Sequence, residues 1–223
     1  MEFLTGVKEK ETTSVSEILS GDYVGKTVKM NGAVHNIRDM GEFAFVILRK
    51  AEGLVQCVYE EGKTELDLKN LKEESAVEVT GVVELEERAP QDFELRLTGI
   101  RVLSEPAETM PIAINKWKMN TSLETRLSLR PVSLRNVRER AKFKIQEGIV
   151  RGFREFLSSQ GFTEVHTPKI VSRGAEGGAN VFKLNYFNKK AELGQSPQFY
   201  KQMMVGVFDR VFEVAPVFRA EKH

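Results

Sequence analysis

The residues best suited to chemistry lie in the last third of the chain. The segment AELGQSPQFYKQMM (191–204) places Gln198 and Lys201 three positions apart, behind a Ser196-Pro197 pair that is typical of a helix N-cap and first turn. Residues three apart share a helix face, here near the positive end of the helix dipole. Because an ammonium and an amide side by side can bind a carboxylate, this segment predicts a carboxylate site.

Two neighbouring segments add charged side chains. Residues 209–223 have the pattern of a strand pair, in which Arg219 and Glu221 alternate with apolar positions and face the same side. Such a pair could act on an anionic ligand or form only a cross-strand salt bridge. Glu176 lies in the Gly-rich segment AEGGANVF (175–182), whose glycines suit a mobile flap.

A different chemistry is indicated near the N-terminus. Phe43 and Phe45 alternate along one strand pattern, with Arg38 and Gln56 on adjacent segments. Aromatic faces stack on bases and polar groups bind base edges, so these residues could hold single-stranded nucleic acid. The alternative is that both phenylalanines belong to the core, as is common for Phe in a strand.

The elements that must position these residues differ between the two halves. Five short, β-branched runs are separated by turn residues, and a helix-compatible stretch over 60–75 follows the third; the runs cover 27–34, 43–49, 53–59, 76–83 and 93–103. This is the strand order of an OB-fold barrel. A short helix is predicted before it, with Ser14 and Glu17 forming a capping box.

The second half begins with a long amphipathic helix. Apolar residues recur every four positions from Val137 to Phe153, and Gly161 suits the helix end. One apolar face needs a sheet or helix to cover it. We therefore predict an α+β protein with a barrel domain over 1–104, a linker over 105–130 and a second domain over 131–223.

Composition excludes several classes of protein. The 223 residues carry a net charge of +1, are 41% apolar, and include one cysteine and three histidines. A disulfide scaffold, a His- or Cys-built metal site, a secretory signal and a membrane span are not expected, so we predict a soluble cytoplasmic protein. The charge is −7 over residues 1–104 and +8 over 105–223, so a polyanion should favour the second region.

Three motifs resemble those of one enzyme family along essentially the whole chain. GFTEVHTPKI (161–170) resembles motif 1 of class II aminoacyl-tRNA synthetases, FRAE (218–221) resembles the start of motif 2, and QSPQFYKQ (195–202) resembles the aspartate-specific segment. The chain therefore resembles the archaeal and eukaryotic type of aspartyl-tRNA synthetase, of class IIb. The resemblance implies an anticodon-binding OB-fold followed by the first half of an antiparallel-sheet catalytic domain.

The resemblance also implies roles for the residues of the second half. Glu176 would contact the α-amino group of aspartate, and Ser196, Gln198 and Lys201 would line its pocket. Arg219, the catalytic residue, would bridge the aspartate carboxylate and the ATP α-phosphate. Ala220 and Glu221 would belong to the ATP site, with Glu221 holding the adenine amino group.

In the barrel, the resemblance implies anticodon contacts. Phe45 would stack on the central base, Gln56 would read its edge, and Arg38 would lie in the basic turn. Strict archaeal members of the family tend to carry Trp at the position of His35, whereas relaxed members tend to carry His there and a Pro at the position of Pro90. Both residues indicate an enzyme that charges tRNA-Asp and also tRNA-Asn.

The implied reaction is activation of L-aspartate by ATP, followed by transfer to tRNA, in a homodimeric enzyme that uses Mg²⁺. The sequence ends at His223 inside motif 2, before the Mg²⁺ ligands and motif 3, so we expect this chain alone to be an inactive fragment. Two alternatives stay open. One is an asparaginyl-tRNA synthetase, which Lys201 argues against, and the other is a non-catalytic OB-fold module that binds tRNA or other RNA.

Overall fold

A computed structural model describes residues 12–173 and 180–221. The chain divides into two compact units, Met1–Arg140 and Ala141–His223. None of the helices in the described ranges combines the length and the apolar character that a membrane span requires.

The first unit contains the five-stranded barrel that the sequence predicts. Its strands are β1 Thr27–Asp39, β2 Phe43–Arg49, β3 Leu54–Glu60, β4 Ala76–Leu85 and β5 Phe93–Ser104. They close in the order β1-β2-β3-β5-β4, with β3 and β5 parallel and the other pairs antiparallel. Closure gives every strand two neighbours, so the barrel has no open edge.

The barrel interior holds one continuous apolar core. Alternating side chains from all five strands fill it, and Met30, Leu48 and Leu95 are fully buried. Helix α1 (Val15–Ser20) packs Val15 and Ile18 against this core. Its N-terminus has the predicted capping box.

The helix predicted within 60–75 does not form. The structure has only a 3₁₀ turn at Leu68–Asn70, capped by Asp67. The many charged residues around this turn gave a helix-compatible composition, but Leu66, Leu68 and Leu71 all pack against the core. Three apolar anchors within six residues suit a tight surface loop better than a helix.

The segment after the barrel is also part of the first unit. Helices α2 (Leu123–Ser128) and α3 (Arg130–Ser133) follow a small core of Ile112, Ile114 and Met119. Asn136 fixes the start of the next helix, since its Oδ1 accepts from the N–H groups of residues 138 and 139. Its Nδ2 donates to the carbonyls of Ile114 and Lys116, which links the helix start to the segment after the barrel.

Helix α4 (Val137–Ser159) confirms the predicted long helix, and Gly161 follows it with φ +78°. The remaining elements are short: β6 Thr163–Glu164, β7 Ile170–Val171, β8 Lys183–Tyr186, β9 Lys189–Leu193, α5 Gln198–Phe208 and β10 Val211–Phe212. β10 pairs parallel with β6, and β9 lies between β7 and β8 in an antiparallel sheet.

Two local predictions for the second unit are wrong in detail. The strand pair predicted over 209–223 reduces to the two residues of β10, because Pro216 and the charged residues that follow make no continuous ladder. Helix α5 begins at Gln198 with Pro197 as its N-cap, one residue later than predicted. Ser196 still helps to start the helix, because its Oγ accepts from the Gln198 N–H at 3.2 Å.

Candidate functional site

The first candidate site is a groove of about 750 Å³ on the outer face of the barrel. Phe43 and Phe45 of β2 line it, with their rings edge to face and 5.3 Å between centroids. Gln56 and Val58 of β3 lie beside them. Phe43 is partly exposed, and neither ring belongs to the barrel core, so the groove presents aromatic surface that a base could stack on.

The pairing of the strands explains why these side chains meet. Phe45 is opposite Val58 on β3 and opposite Arg38 on β1, and residues directly opposite in antiparallel strands share a face. Arg38 is exposed on that face. Gln56 lies beside Glu94 of β5 in the parallel pair.

Glu94 orients the amide of Gln56. Its carboxylate is buried and accepts a hydrogen bond of 2.9 Å from Gln56 Nε2. Because a carboxylate only accepts, this contact fixes the amide nitrogen towards Glu94. The carbonyl oxygen of Gln56 is then the atom best placed to accept a hydrogen bond from a ligand, such as a base N–H.

The groove is acidic overall. Five glutamates and two arginines line it, and both arginines already form ion pairs: Arg88 with Glu86 at 2.8 Å, and Arg96 with Glu84 at 2.8 Å and Glu60 at 3.0 Å. A nucleic acid could therefore bind here through stacking and directed hydrogen bonds more than through attraction of its phosphates.

The structure places the two predicted discrimination residues outside the residues that line this groove. Pro90 is exposed in the loop between β4 and β5. His35 is the extra residue of a bulge in β1, because the register with β2 shifts between Val34 and Asn36. The imidazole is 6% exposed and borders a separate cavity of about 530 Å³ beside Glu74 and the segment 106–115.

A partly buried charge cluster lies beside His35. Arg49 Nη1 lies 3.3 Å from His35 Nδ1, and Arg49 and Arg135 both donate to the Glu74 carboxylate, at 2.9 Å for Arg135. Burial, with the guanidinium of Arg49, lowers the pKa of His35. Burial would raise the pKa of Glu74, but the hydrogen bonds from the two arginines outweigh it and hold that pKa below its ordinary value.

The second candidate site lies at the start of α5 in the second unit. Gln198 is exposed and Lys201 partly buried on the first turn, and the Lys201 N–H donates to the Pro197 carbonyl at 2.9 Å. The predicted spacing on one helix face therefore holds. An ammonium next to the first turn of a helix favours an anionic ligand.

Three segments meet beside this helix. The carbonyl of Asn180 accepts from Gln195 Nε2 at 2.9 Å and from the Ala220 N–H at 3.2 Å, and the Phe218 N–H donates to Gly194 at 3.0 Å. The two residues before Ser196 are therefore hydrogen-bonded to Asn180 and Phe218. Glu176, which the sequence analysis placed on the Gly-rich segment, lies outside the described residues.

Arg219 and Glu221 lie on the segment that this contact holds. Their side chains are both about half exposed and approach within 3.9 Å of each other. They share a side as predicted, although the segment is not a strand. An exposed ion pair at this distance contributes little to stability, so exchanging it for a contact with a ligand would cost little.

Sequence reasoning missed two residues of these sites. Glu94 was not singled out, although its position beside Gln56 follows once the parallel pairing of β3 and β5 is known. Gln195 was quoted within its motif but given no role, although its side chain is 2% exposed. Neither has a signal in sequence alone, because an amide or a carboxylate among apolar residues does not indicate its partner.

Comparison with known families gives two matches. Residues 122–223 match the tRNA synthetases class II (D, K and N), and residues 28–103 match the OB-fold nucleic acid binding domain. The second match covers most of the barrel, and the first covers the segment from α2 onwards.

Individual relatives agree. The chain is 50% identical over 199 residues to an aspartate–tRNA(Asp/Asn) ligase of Deinococcus radiodurans, covering 89% of this chain and 44% of that protein. It is 45% identical over 201 residues to the ligase of the same name from Thermus thermophilus, covering 90% and 46%. The structure of asparaginyl-tRNA synthetase from Pyrococcus horikoshii, complexed with asparaginyl-adenylate, superposes with a TM-score of 0.79 at 33% identity, covering 90% of this chain and 46% of that one. The chain thus spans about half the length of the relatives it matches.

Proposed function

We propose that this chain belongs to the class II tRNA synthetases of the D, K and N group, whose model matches residues 122–223, and that the whole protein is an aspartate–tRNA ligase that charges tRNA-Asp and tRNA-Asn. The observation that carries the proposal is the 50% identity to an aspartate–tRNA(Asp/Asn) ligase over 89% of the chain. The protein acts in the cytoplasm as a homodimer in this proposal, with ATP, L-aspartate and tRNA as substrates and Mg²⁺ as the metal ion.

The start of α5 is the proposed aspartate pocket. The Lys201 ammonium pairs with the side-chain carboxylate of the substrate, and Gln198 and Ser196 direct it by hydrogen bonds. Glu176 is the proposed partner of the α-amino group. A charged lysine facing a neutral asparagine would lose its partner, which penalises the wrong amino acid.

Arg219 is the proposed catalytic residue. Attack of the aspartate α-carboxylate on the α-phosphorus of ATP forms the aspartyl-adenylate and breaks the bond to the β-phosphate, so that pyrophosphate leaves. Negative charge builds on the phosphoryl oxygens during this step, and a guanidinium placed there stabilises it. Glu221 accepts from the adenine amino group, and Ala220 lies between them against the nucleotide. No proton must move in this step, so positioning and charge stabilisation carry the rate.

The barrel groove is the proposed anticodon site. Phe45 stacks on the central base, the carbonyl oxygen of Gln56 accepts from a base N–H, and Arg38 contacts the backbone at the edge. His35 and Pro90, which lie outside the groove-lining residues, are proposed to permit tRNA-Asn as well as tRNA-Asp.

The runner-up is an asparaginyl-tRNA synthetase, which the likeness to the Pyrococcus horikoshii structure favours. Exchange of pyrophosphate into ATP by the whole protein, with aspartate or asparagine as the only amino acid, separates the two. We expect aspartate to be preferred by about 100-fold or more in kcat/KM. A preference for asparagine would overturn the proposal that aspartate is the substrate. Absence of exchange with any amino acid would overturn the proposal that the protein is an aminoacyl-tRNA synthetase.

Charging of purified tRNA tests the second substrate. We expect attachment of aspartate to both tRNA-Asp and tRNA-Asn. Charging of tRNA-Asp alone would overturn the relaxed specificity and leave the aspartate–tRNA ligase standing.

Binding of an anticodon stem-loop to this chain tests the groove without the chemistry. Phe45→Ala should weaken binding by about 5- to 150-fold, as expected for loss of one stacked base. Phe182→Ala, another exposed phenylalanine but in the second unit, serves as the matched control and should bind like the wild type. Equal affinity of the Phe45 variant would place the RNA elsewhere.

A further inference from the structure

Gln195 has a buried side-chain amide in which, within the described part of the chain, the nitrogen is hydrogen-bonded and the oxygen is not. The side chain is 2% exposed, one residue before Ser196 and three before Gln198. Its Nε2 donates to the Asn180 carbonyl at 2.9 Å, whereas its Oε1 has no hydrogen-bond partner among the described residues. The group therefore has one well-made contact and one buried acceptor left over.

The contact that Gln195 makes is linked through Asn180 to residues 218–221, which carry the proposed ATP-binding side chains. The Asn180 carbonyl that accepts from Gln195 also accepts from the Ala220 N–H at 3.2 Å, and Ala220 lies between Arg219 and Glu221. The residue before Gln195 holds the same segment directly, because the Gly194 carbonyl accepts from the Phe218 N–H. Residues 194–195 thus fix the backbone of 218–220 at two points.

Stability alone does not explain a glutamine here. A buried acceptor without a partner is unfavourable, and an apolar side chain of similar shape would avoid that cost. Methionine has nearly the same length and no polar group to satisfy. The amide is therefore better explained by the atom it holds, the Asn180 carbonyl, than by packing.

We propose that Gln195 is a positioning residue for formation of the aspartyl-adenylate. Its amide holds the Asn180 carbonyl, and this carbonyl holds the Ala220 N–H, so that Arg219 and Glu221 keep their place relative to Gln198 and Lys201. The inference rests on the proposed function, since it assigns these four residues to one reaction.

Gln195→Met in the whole protein is the direct test. We expect its melting temperature to match or exceed that of the wild type, while kcat/KM for ATP in amino-acid-dependent pyrophosphate exchange falls about tenfold or more. A stable variant whose kcat/KM for ATP stays within about twofold of the wild type would overturn the inference.

Two further variants distinguish positioning from general loosening. Asn136→Leu removes another buried amide that donates to backbone carbonyls, in the first unit. It should lower the melting temperature and leave kcat/KM for ATP unchanged. An equal fall of kcat/KM for ATP in both variants would overturn the inference. Gln195→Glu can donate to the Asn180 carbonyl only when protonated, so its activity relative to wild type should rise as the pH is lowered, and a flat ratio would count against the role.

The amino acid used keeps the two proposals separate. The ratio of variant to wild type is measured with whichever amino acid the wild type activates. Activation of an amino acid other than aspartate overturns the proposed substrate, while the ratio for Gln195→Met still decides the positioning role.

Discussion

The strands of the barrel and the helices α4 and α5 each have one apolar face, but only the barrel buries it within the described residues. In the barrel, the alternating apolar side chains of five strands meet in one core and are covered from all sides. Helices α4 and α5 carry equally regular apolar positions, yet no residue of either helix is buried among the described residues. Ile145, Ile149, Phe199 and Met203 are all about half exposed or more.

The exposed apolar faces of α4 and α5 show that a hydrophobic pattern alone does not determine burial. The apolar stripe predicted on α4 forms, but no element within the described residues buries it. A barrel closes on itself and supplies its own partner surface, whereas a helix face depends on another element. The hydrophobic pattern thus predicts the helix and its apolar face, but not the element that packs against that face.

Truncation of a core side chain should show the contrast most strongly. Leu48→Ala in the barrel should lower the free energy of unfolding by about 2–5 kcal/mol, because Leu48 is fully buried. Ile149→Ala on α4 should change it by less than about 0.5 kcal/mol, since that side chain is 67% exposed. Urea unfolding of this chain, followed by hydrogen exchange in each unit, measures both. A large effect of Ile149→Ala would mean that the α4 face is covered in solution.

The charge cluster offers the next test. Glu74→Gln should destabilise the first unit by about 3 kcal/mol, because Arg49 and Arg135 would face each other without a carboxylate and the Glu74 side chain is only 3% exposed. Glu105→Gln breaks an exposed pair with Lys72 and should cost about 0–1 kcal/mol. If the two variants lose equal stability, the burial of Glu74 does not strengthen its ion pairs.

The cap of α1 should have a smaller effect. Ser14→Ala removes the acceptor for the Glu17 N–H and should cost about 1 kcal/mol, measured by thermal unfolding. Ser20→Ala at the other end of the same helix loses only a 3.4 Å contact and serves as the control. Equal melting temperatures would mean that α1 is held by Val15, Ile18 and the hairpin carboxylate of Glu52 instead.

The smallest expected effect is that of pH on the first unit. The folded protein lowers the pKa of His35 from 6.5, so the unfolded chain binds the proton more readily and stability is lost as the pH falls below about 6.5. Glu74, with its pKa lowered from 4.5, adds to the loss only in more acidic solution. The melting temperature should fall by a few degrees over the first range. His35→Gln should flatten that slope, and an unchanged slope would assign it to another group.

The sequence predicted most of the first unit from local rules. The five strands and the Ser14–Glu17 cap depend on neighbours within a few residues, and both predictions are confirmed. The alternation of Phe43 and Phe45 along the sequence predicted that both rings share one face of a strand. Both rings do line the groove.

What the sequence did not predict depends on distant partners. The bulge at His35 is set by the register between β1 and β2, and the left-handed backbone of Glu74 (φ +68°) is held by a hydrogen bond from its N–H to the Val34 carbonyl. The junction at Asn180 joins residues 15 and 40 positions apart. No local pattern specifies such contacts, because each requires the fold to be known first.

The single cysteine has a use that follows from its place in the barrel. Cys57 lies fully buried in the core, and burial raises the pKa of its thiol, so the reactive thiolate is scarce and inaccessible while the barrel is closed. A thiol reagent can therefore label the chain only when the barrel opens. The rate at which Cys57 of the unmodified protein is labelled therefore reports how often the barrel opens. Mass spectrometry can measure this rate even in a crude extract.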